Sequence, residues 1–386
     1  MKQTAISLVL LAGLVLAQSG VVTVTGRGPS RDAAISDAKR QAIEQVAGVV
    51  LESYTQMENF QVLKDVVLSR AKGYIASFNI MSETPFPDRV EVQAQVAVSD
   101  KQMDADAKSL AQWLAGLRFM VVYDPDEPRP AEDVGLFKYA TERVNEYLSR
   151  HGFRYIEKNV FDRLKDEAVK IAGVDLSGID YAKKLAFYAD AEFIVYIENL
   201  VNTEEVKGLG ISQRKTVMDL KAYDNCTAEG LGTVVGDGDW KTDFQGPDAS
   251  RKALDPAART AADKLFNLTL EYLSDWVNNG APFELRFFGV DEDHMDLLLE
   301  KLAQDPDFRG QLEPVMSGDY WRLNCTFKKT PTAMRQKVRS LAKEVGMSLE
   351  TRLQYVRQLS FAAKGAKVPE ADEKQRADDV LKPIRK

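Results

Sequence analysis

Between Ser30 and Val50 small apolar residues return at every fourth place: Ala34, Ala38, Ala42, Val46 and Val50. A period near four is helical, and a stripe this narrow and small lets a helix lie close on a sheet. Ser30 supplies an N-cap, because its hydroxyl can accept a bond from an unpaired first-turn N–H. The flanking pattern is that of strands. VVTVTGRG precedes the helix. After it, Tyr74, Ala76, Phe78 and Ile80 alternate with Ile75, Ser77 and Asn79, and Val90, Val92, Ala94, Val96 and Val98 alternate with polar residues. Pro85-Phe86-Pro87-Asp88 makes the turn between these two strands. Residues 18–105 are therefore expected to form a helix on an antiparallel sheet. Gly26 and Gly28 read as turn residues tolerant of positive φ. Gly26 to Val98 contains no His and no Cys, which fits packing and docking rather than catalysis.

The preceding residues set the expected compartment. Lys2 is followed by an apolar run from Ala5 to Ala17. That run is shorter than the roughly 20 residues a membrane-spanning helix needs. Val15-Leu16-Ala17 resembles a small-residue cleavage site ahead of Gln18. Residues 1–17 thus read as a signal peptide, and the mature chain is expected to be soluble and periplasmic. No Cys stands at the cut, so no lipid anchor is expected there. The formal net charge is −7, and no segment is strongly basic, which argues against nucleic acid as a partner. Cys226 and Cys325 each occur as Asn-Cys-Thr in strand-like surroundings. In an oxidising compartment they either form one disulfide or stay as two buried thiols.

Two further folded units and a tail follow. In residues 117–280, LRFMVVYD is a continuous apolar strand and GLFKYATERVNEYLSRHG an amphipathic helix ended by Gly152. FRYIEK is strand-like, NVFDRLKDEAVKIAG is helical, and YAKKLAFYADA leads into the strand EFIVYIENLV. Two long strand-like stretches precede a last helix, with Pro256 expected in its first turn. The alternation predicts an α/β layer. Residues 282–362 read β-α-β-β-α-β, with LETRLQYVRQLSF as the final strand, the order of a ferredoxin-like domain. Residues 363–386 are charged and poor in apolar side chains, the composition of a flexible tail. The fold class expected is thus a multi-domain chain of α+β and α/β parts.

The run DAKRQAIEQVAGVVLESYTQMEN followed by LSRAKGYIASFNIMSE resembles the N-terminal domain of flagellar assembly protein T. The Ala spacing, the Gly48-Val49-Val50 step and the Gly73-Tyr74-Ile75 strand opening all fit. A weaker similarity reaches small outer-membrane lipoproteins. GLFKYATERVNEYLSRHGFRYIEKNVFDRL and ADAEFIVYIENL are similar to the TolB N-terminal and curli-secretion-channel type of α/β domain. The flagellar family also places a TolB-like domain second, but ends in a small β-rich domain where this chain alternates helix and strand. The resemblance implies a periplasmic protein near the outer membrane that builds a ring around the flagellar basal body, with no enzymatic activity.

Few residues offer chemistry. His151 closes a helix before Gly152, where a cation favours the helix C-terminus. His294 lies in the acidic run Asp291-Glu292-Asp293-His294-Met295-Asp296. That run reads as a helical first turn whose acids complement the dipole, or as a metal site of carboxylates and imidazole. Asp237, Asp239 and Asp243 alternate with Gly and other residues as calcium ligands do, but Asp248 stands where an EF-hand requires Glu. The Gly26 loop lacks the Gly-Lys-Ser/Thr ending of a phosphate-binding loop. No catalytic, cofactor or metal residue is therefore assigned. The expected function is non-enzymatic assembly or scaffolding in the periplasm, peripheral to the membrane. Expected partners are a flagellar basal-body ring, outer-membrane secretion components, or further copies of the chain. The alternatives are an accessory of secretion or surface-structure assembly, or a periplasmic ligand-binding or hydrolytic protein using the Asp237 loop or the Asp291 cluster.

Overall fold

The computed structural model describes residues 20–57, 60–114, 117–124, 127–165, 167–173, 178–208, 211–244, 248–309 and 312–383. The signal peptide expected at 1–17 lies outside them. Twelve α-helices and fifteen strands occur among the described residues, making a multi-domain α+β protein with two compact units.

One unit takes the described residues up to Ser53 together with Val67–Ala105. β1 (Val21–Gly28) leads into α1 (Arg31–Val50); α2 (Phe60–Ser69) and α3 (Ala71–Tyr74) precede β2 (Ile75–Pro85) and β3 (Val90–Val98). The three strands form an antiparallel sheet in the order β1-β3-β2. Phe86 N–H bonds Arg89 O to close the turn between β2 and β3. Ser30 caps α1 as expected, its hydroxyl accepting from Ala33 N–H. Ala34, Ala38, Ala42 and Val46 are buried on the sheet. Gly26 and Gly28, expected in a turn, instead lie within β1 at negative φ. Their role is proximity. A Cβ on Gly26 would stand 2.1 Å from Ala34 O and 2.7 Å from Ala38 Cβ.

The second unit holds residues 54–66 and 106–386, and within it two six-stranded sheets. α4 (Asp100–Leu114) leads to β4 (Arg118–Val122), α5 (Ala131–Arg150), β5 (Arg154–Tyr155), α6 (Lys158–Lys165), α7 (Ala168–Ala172) and α8 (Gly178–Ala189). Then come β6 (Phe193–Gly208), β7 (Ile211–Asp224), β8 (Glu229–Asp237), β9 (Lys241–Phe244) and α9 (Asp248–Asn279). Sheet order is β5-β4-β6-β7-β8, with β9 also on β7. β4 runs parallel to β5 and β6, and β7 to β9 are antiparallel. One face carries α6, α7 and α8 over Met120, Val122 and Ile194. On the other, Phe119, Phe153, Phe193, Phe266 and Trp276 form an aromatic layer under α5 and α9. α9 starts at Asp248, so Pro256 sits inside it rather than in its first turn. Gly236 in β8 repeats the device of Gly26: a Cβ there would meet Ala257 O at 2.0 Å and Ala261 Cβ at 2.7 Å.

Gly280, at φ +89°, joins α9 to the last sheet. The elements are β10 (Ala281–Phe288), α10 (Glu292–Gln304), β11 (Phe308–Arg309), β12 (Pro314–Ser317), β13 (Tyr320–Phe327), α11 (Pro331–Glu344), β14 (Leu349–Tyr355), β15 (Gln358–Ala363) and α12 (Pro369–Leu381). The order is β11-β13-β10-β15-β14, with β12 also on β13. LETRLQYVRQLSF, expected as one strand, is a hairpin that turns at Val356 and Arg357. β15, parallel to β10, takes the central place and pushes β14 to the edge. This departs from the simple β-α-β-β-α-β expectation. The flexible tail expected at 363–386 is also corrected, because α12 packs with Lys374, Ala377 and Leu381 buried. Its charges are partnered: Lys374 pairs with Asp190 at 3.0 Å and Asp378 at 2.7 Å, and Glu373 with Lys184 at 2.6 Å.

Candidate functional site

β4 lies where the chain changes direction across its sheet, stepping to β5 on one side and then to β6 on the other. Crevices form beyond the carboxyl ends of parallel strands at such points. Here a cleft of about 840 Å³ opens between α5 and α6, floored by Met120, Val121, Val122 and Tyr123. In a parallel ladder alternate residues direct both backbone groups to the same side. Ile156 N–H bonds Phe119 O, whereas Glu192 N–H bonds Arg118 O on the opposite side. Val121 follows Phe119 in this alternation, so its N–H and C=O point away from β6. β5 pairs only with Arg118 and Phe119, and among the described residues no strand covers Val121 on that side.

The walls carry Lys138, Arg150, Lys158 and Lys165 against Glu142, Glu146, Glu157 and Asp162. The formal charges cancel. Tyr155, Ile156 and Phe161 add apolar surface. Asn145 on α5 keeps a buried Oδ1 without a hydrogen-bond partner. The arrangement provides backbone hydrogen-bonding groups and neutral walls. Neither His nor Cys is among the described lining residues.

A second constellation joins the two large sheets. Arg357, 2% exposed, meets Glu192 through Nε, Asp224 through Nη2 at 2.6 Å and Pro282 O through Nη1 at 2.5 Å. Tyr272 donates to the same Asp224 carboxylate at 2.8 Å. Trp276 lies 4.4 Å from the guanidinium. Asn225 donates to Tyr355 Oη at 2.8 Å, and Tyr355 donates to Ala191 O. Burial disfavours charge on Arg357, but Asp224 and Glu192 outweigh it and hold the guanidinium well above its usual range. Burial raises the Glu192 pKa against the pull of Arg357. Three non-glycine residues among those described have positive φ: Asp190, Ala228 and Val356. Each lies within a few residues of a member of this network.

Residues singled out from the sequence have structural placements. His151 stacks on Tyr147 and meets Phe266 at a tilt, with Nδ1 2.9 Å from Tyr147 O. Burial lowers its pKa, which disfavours the cation expected at a helix terminus. Asp291 is the N-cap of α10, accepting from His294 N–H at 3.0 Å, with His294 Nδ1 2.8 Å from its other oxygen. Asp237 pairs with Lys215 at 2.8 Å, and Asp239 lies 3.8 Å from Lys241. The side chains of Asp243 and Asp248 lie outside those described. Among the described residues no group of three or more His, Cys, Asp or Glu could hold a metal. Cys226 and Cys325 are both free and buried. Burial pushes the Cys325 thiol up to about 12 and raises Cys226 as well. The cleft and the Arg357 network were not read from the sequence. The available signal was polar: Glu192 before an apolar strand, and Arg357-Gln358 interrupting one.

No protein-family profile and no curated protein sequence matches the chain. Solved structures match part of it. The C-terminal domain of LpoB from Salmonella enterica is 14% identical, over 34% of this chain and 84% of that one, with a TM-score of 0.20. Lipoprotein GNA1162 from Neisseria meningitidis is 13% identical, over 42% and 99%, with a TM-score of 0.25. A minor lipoprotein from Acinetobacter baumannii is 9% identical, over 41% and 92%, with a TM-score of 0.19. The last two are bacterial lipoproteins. No helix among the described residues is long and apolar enough to cross a membrane.

Proposed function

We propose that this chain is a non-enzymatic scaffold of the bacterial envelope, exported to the periplasm and working by docking other proteins. The observation that carries the reading is the buried Arg357 network, which fixes two six-stranded sheets into one body. A catalytic cleft that opens and closes needs a hinge, and an ion pair buried on both sides resists one. A fixed body with an uncovered strand edge suits docking. The finer reading, from the resemblance of residues 18–105, takes the flagellar basal-body ring as the machine served. The alternative machine is an outer-membrane secretion channel.

Affinity isolation of the tagged chain from crosslinked envelopes tests this. Recovery of basal-body ring proteins supports the flagellar version, and recovery of channel or cargo subunits supports the alternative. Recovery of neither sinks the scaffold reading. Normal motility and an unchanged basal-body ring in a deletion strain would sink the flagellar version alone.

A further inference from the structure

We infer that the cleft beside Val121 is a receptor for an extended peptide of a partner protein, added to β4 as a further strand. The inference rests on the docking reading above and names how docking occurs. β5 is two residues long and pairs only with Arg118 and Phe119. Val121 then presents an N–H and a C=O on the same edge, at the floor of a cleft rather than on an open rim. A strand edge ordinarily is blunted by charge, a bulge or a covering element. This one is walled by α5 and α6, and among the described residues no strand covers it.

The walls say what the occupant is. Four cations and four anions leave the walls with no net charge, so they carry no excess of either sign with which to select a polyanion or a metal ion. A peptide backbone is neutral overall and carries a donor and an acceptor to meet those of Val121. Added strands draw affinity from such main-chain bonds and specificity from alternate side chains. Tyr155, Ile156 and Phe161 supply apolar contacts for those side chains, and the charged walls take polar residues of either sign. A volume of about 840 Å³ holds a short extended segment, on the order of five residues.

The test uses the full mature chain and a phage-displayed library of random dodecapeptides. Selection runs against the wild type, with counter-selection on Thr141→Trp. Thr141 lines the cleft from α5, and its hydroxyl bonds Phe137 O one turn back in the same helix, so a Trp there fills the space. Lys138→Trp, at an exposed wall position, is a second block should the first variant fold poorly. Enriched peptides are expected to slow hydrogen exchange at the Val121 amide. Both Trp variants are expected to weaken them at least tenfold. N-methylation of the peptide should abolish binding at alternate positions and leave the intervening ones within about twofold, because only one set of N–H groups faces β4. Peptides that bind without protecting Val121, or that tolerate N-methylation with no alternation, overturn the inference. So does a selection that yields no peptide the Trp variants reject. The envelope crosslinking experiment decides the scaffold reading separately, since it needs no peptide and no cleft variant.

Discussion

Val356 holds φ at +46°, a region that β-branched residues rarely occupy. The next residue is Arg357, whose guanidinium reaches Glu192 and Asp224 in the neighbouring sheet. Strained backbone persists where its surroundings over-determine it, and here they do so from both sides of the turn. Removing the cation alone would leave two carboxylates buried, so Arg357→Met is expected to destabilise the second unit by about 3–5 kcal/mol. Urea unfolding of the two proteins measures this. Arg357→Met combined with Glu192→Gln and Asp224→Asn should recover much of the loss, because the uncompensated charge goes with its partners. A single variant within about 0.5 kcal/mol of wild type would refute the role assigned to Arg357. Little of this was legible in the sequence. Val356 lacks the Gly or Asn that usually marks a positive-φ turn, and the carboxylate partners of Arg357 lie more than a hundred residues away. The acidic first turn of α10 was legible in the run from Asp291 to Asp296, but the role of Asp291 as its cap came only with the structure.

Elements repeat one packing device. An alanine stripe on a helix meets a glycine in the strand beneath it, in α1 over Gly26 and in α9 over Gly236. The alanine spacing predicted close approach in the first case. The glycine's part in it was missed, because a Gly before a helix also fits a turn. Gly236→Ala is expected to cost roughly 1–3 kcal/mol, since the added Cβ meets backbone that cannot move without shifting the helix. Thermal unfolding of Gly236→Ala and of Gly230→Ala checks this, because at Gly230 the nearest neighbour is the Tyr223 ring at 3.9 Å. Equal losses would refute the packing argument. The start of α10 gives a pH dependence. Asp291 has its pKa lowered, first by the His294 N–H and then by the His294 ring. A lowered carboxylate pKa stabilises the folded state above the unfolded value and is lost as pH falls through the folded one. Protection of the first-turn amides of α10 is therefore expected to decline in acid below 3.8, the ordinary aspartate value. Asp291→Asn should remove that dependence, and hydrogen exchange measured across the acid range reads both proteins. Helix α12 escaped the sequence for a different reason. Its composition is that of a solvated tail, and only the fold shows that Glu373 and Lys374 find partners on and after α8.

At the scale of the whole molecule, the two six-stranded sheets behave as one body if the Arg357 network couples them. The cleft at Val121 could not be read from the sequence for a related reason. It depends on β5 stopping after two residues while α5 and α6 stand on either side, and length of pairing is set by the assembled sheet. Coupling makes a prediction that local stability alone does not. The network ties the start of β6 and the end of β7 to the hairpin between β14 and β15 and to Pro282 in β10. Global opening of either sheet must therefore break the same buried contacts. Native-state hydrogen exchange at rising urea should merge the slowest amides of β6 and β7 with those of β10 and β15 into one opening unit. In Arg357→Met that unit should divide, with β10 and β15 opening at lower urea than β6 and β7, because the last sheet loses its anchor while the central one keeps the aromatic layer under α9. Separate openings in the wild type would show that the sheets fold independently. They would also remove the fixed body on which the docking function depends.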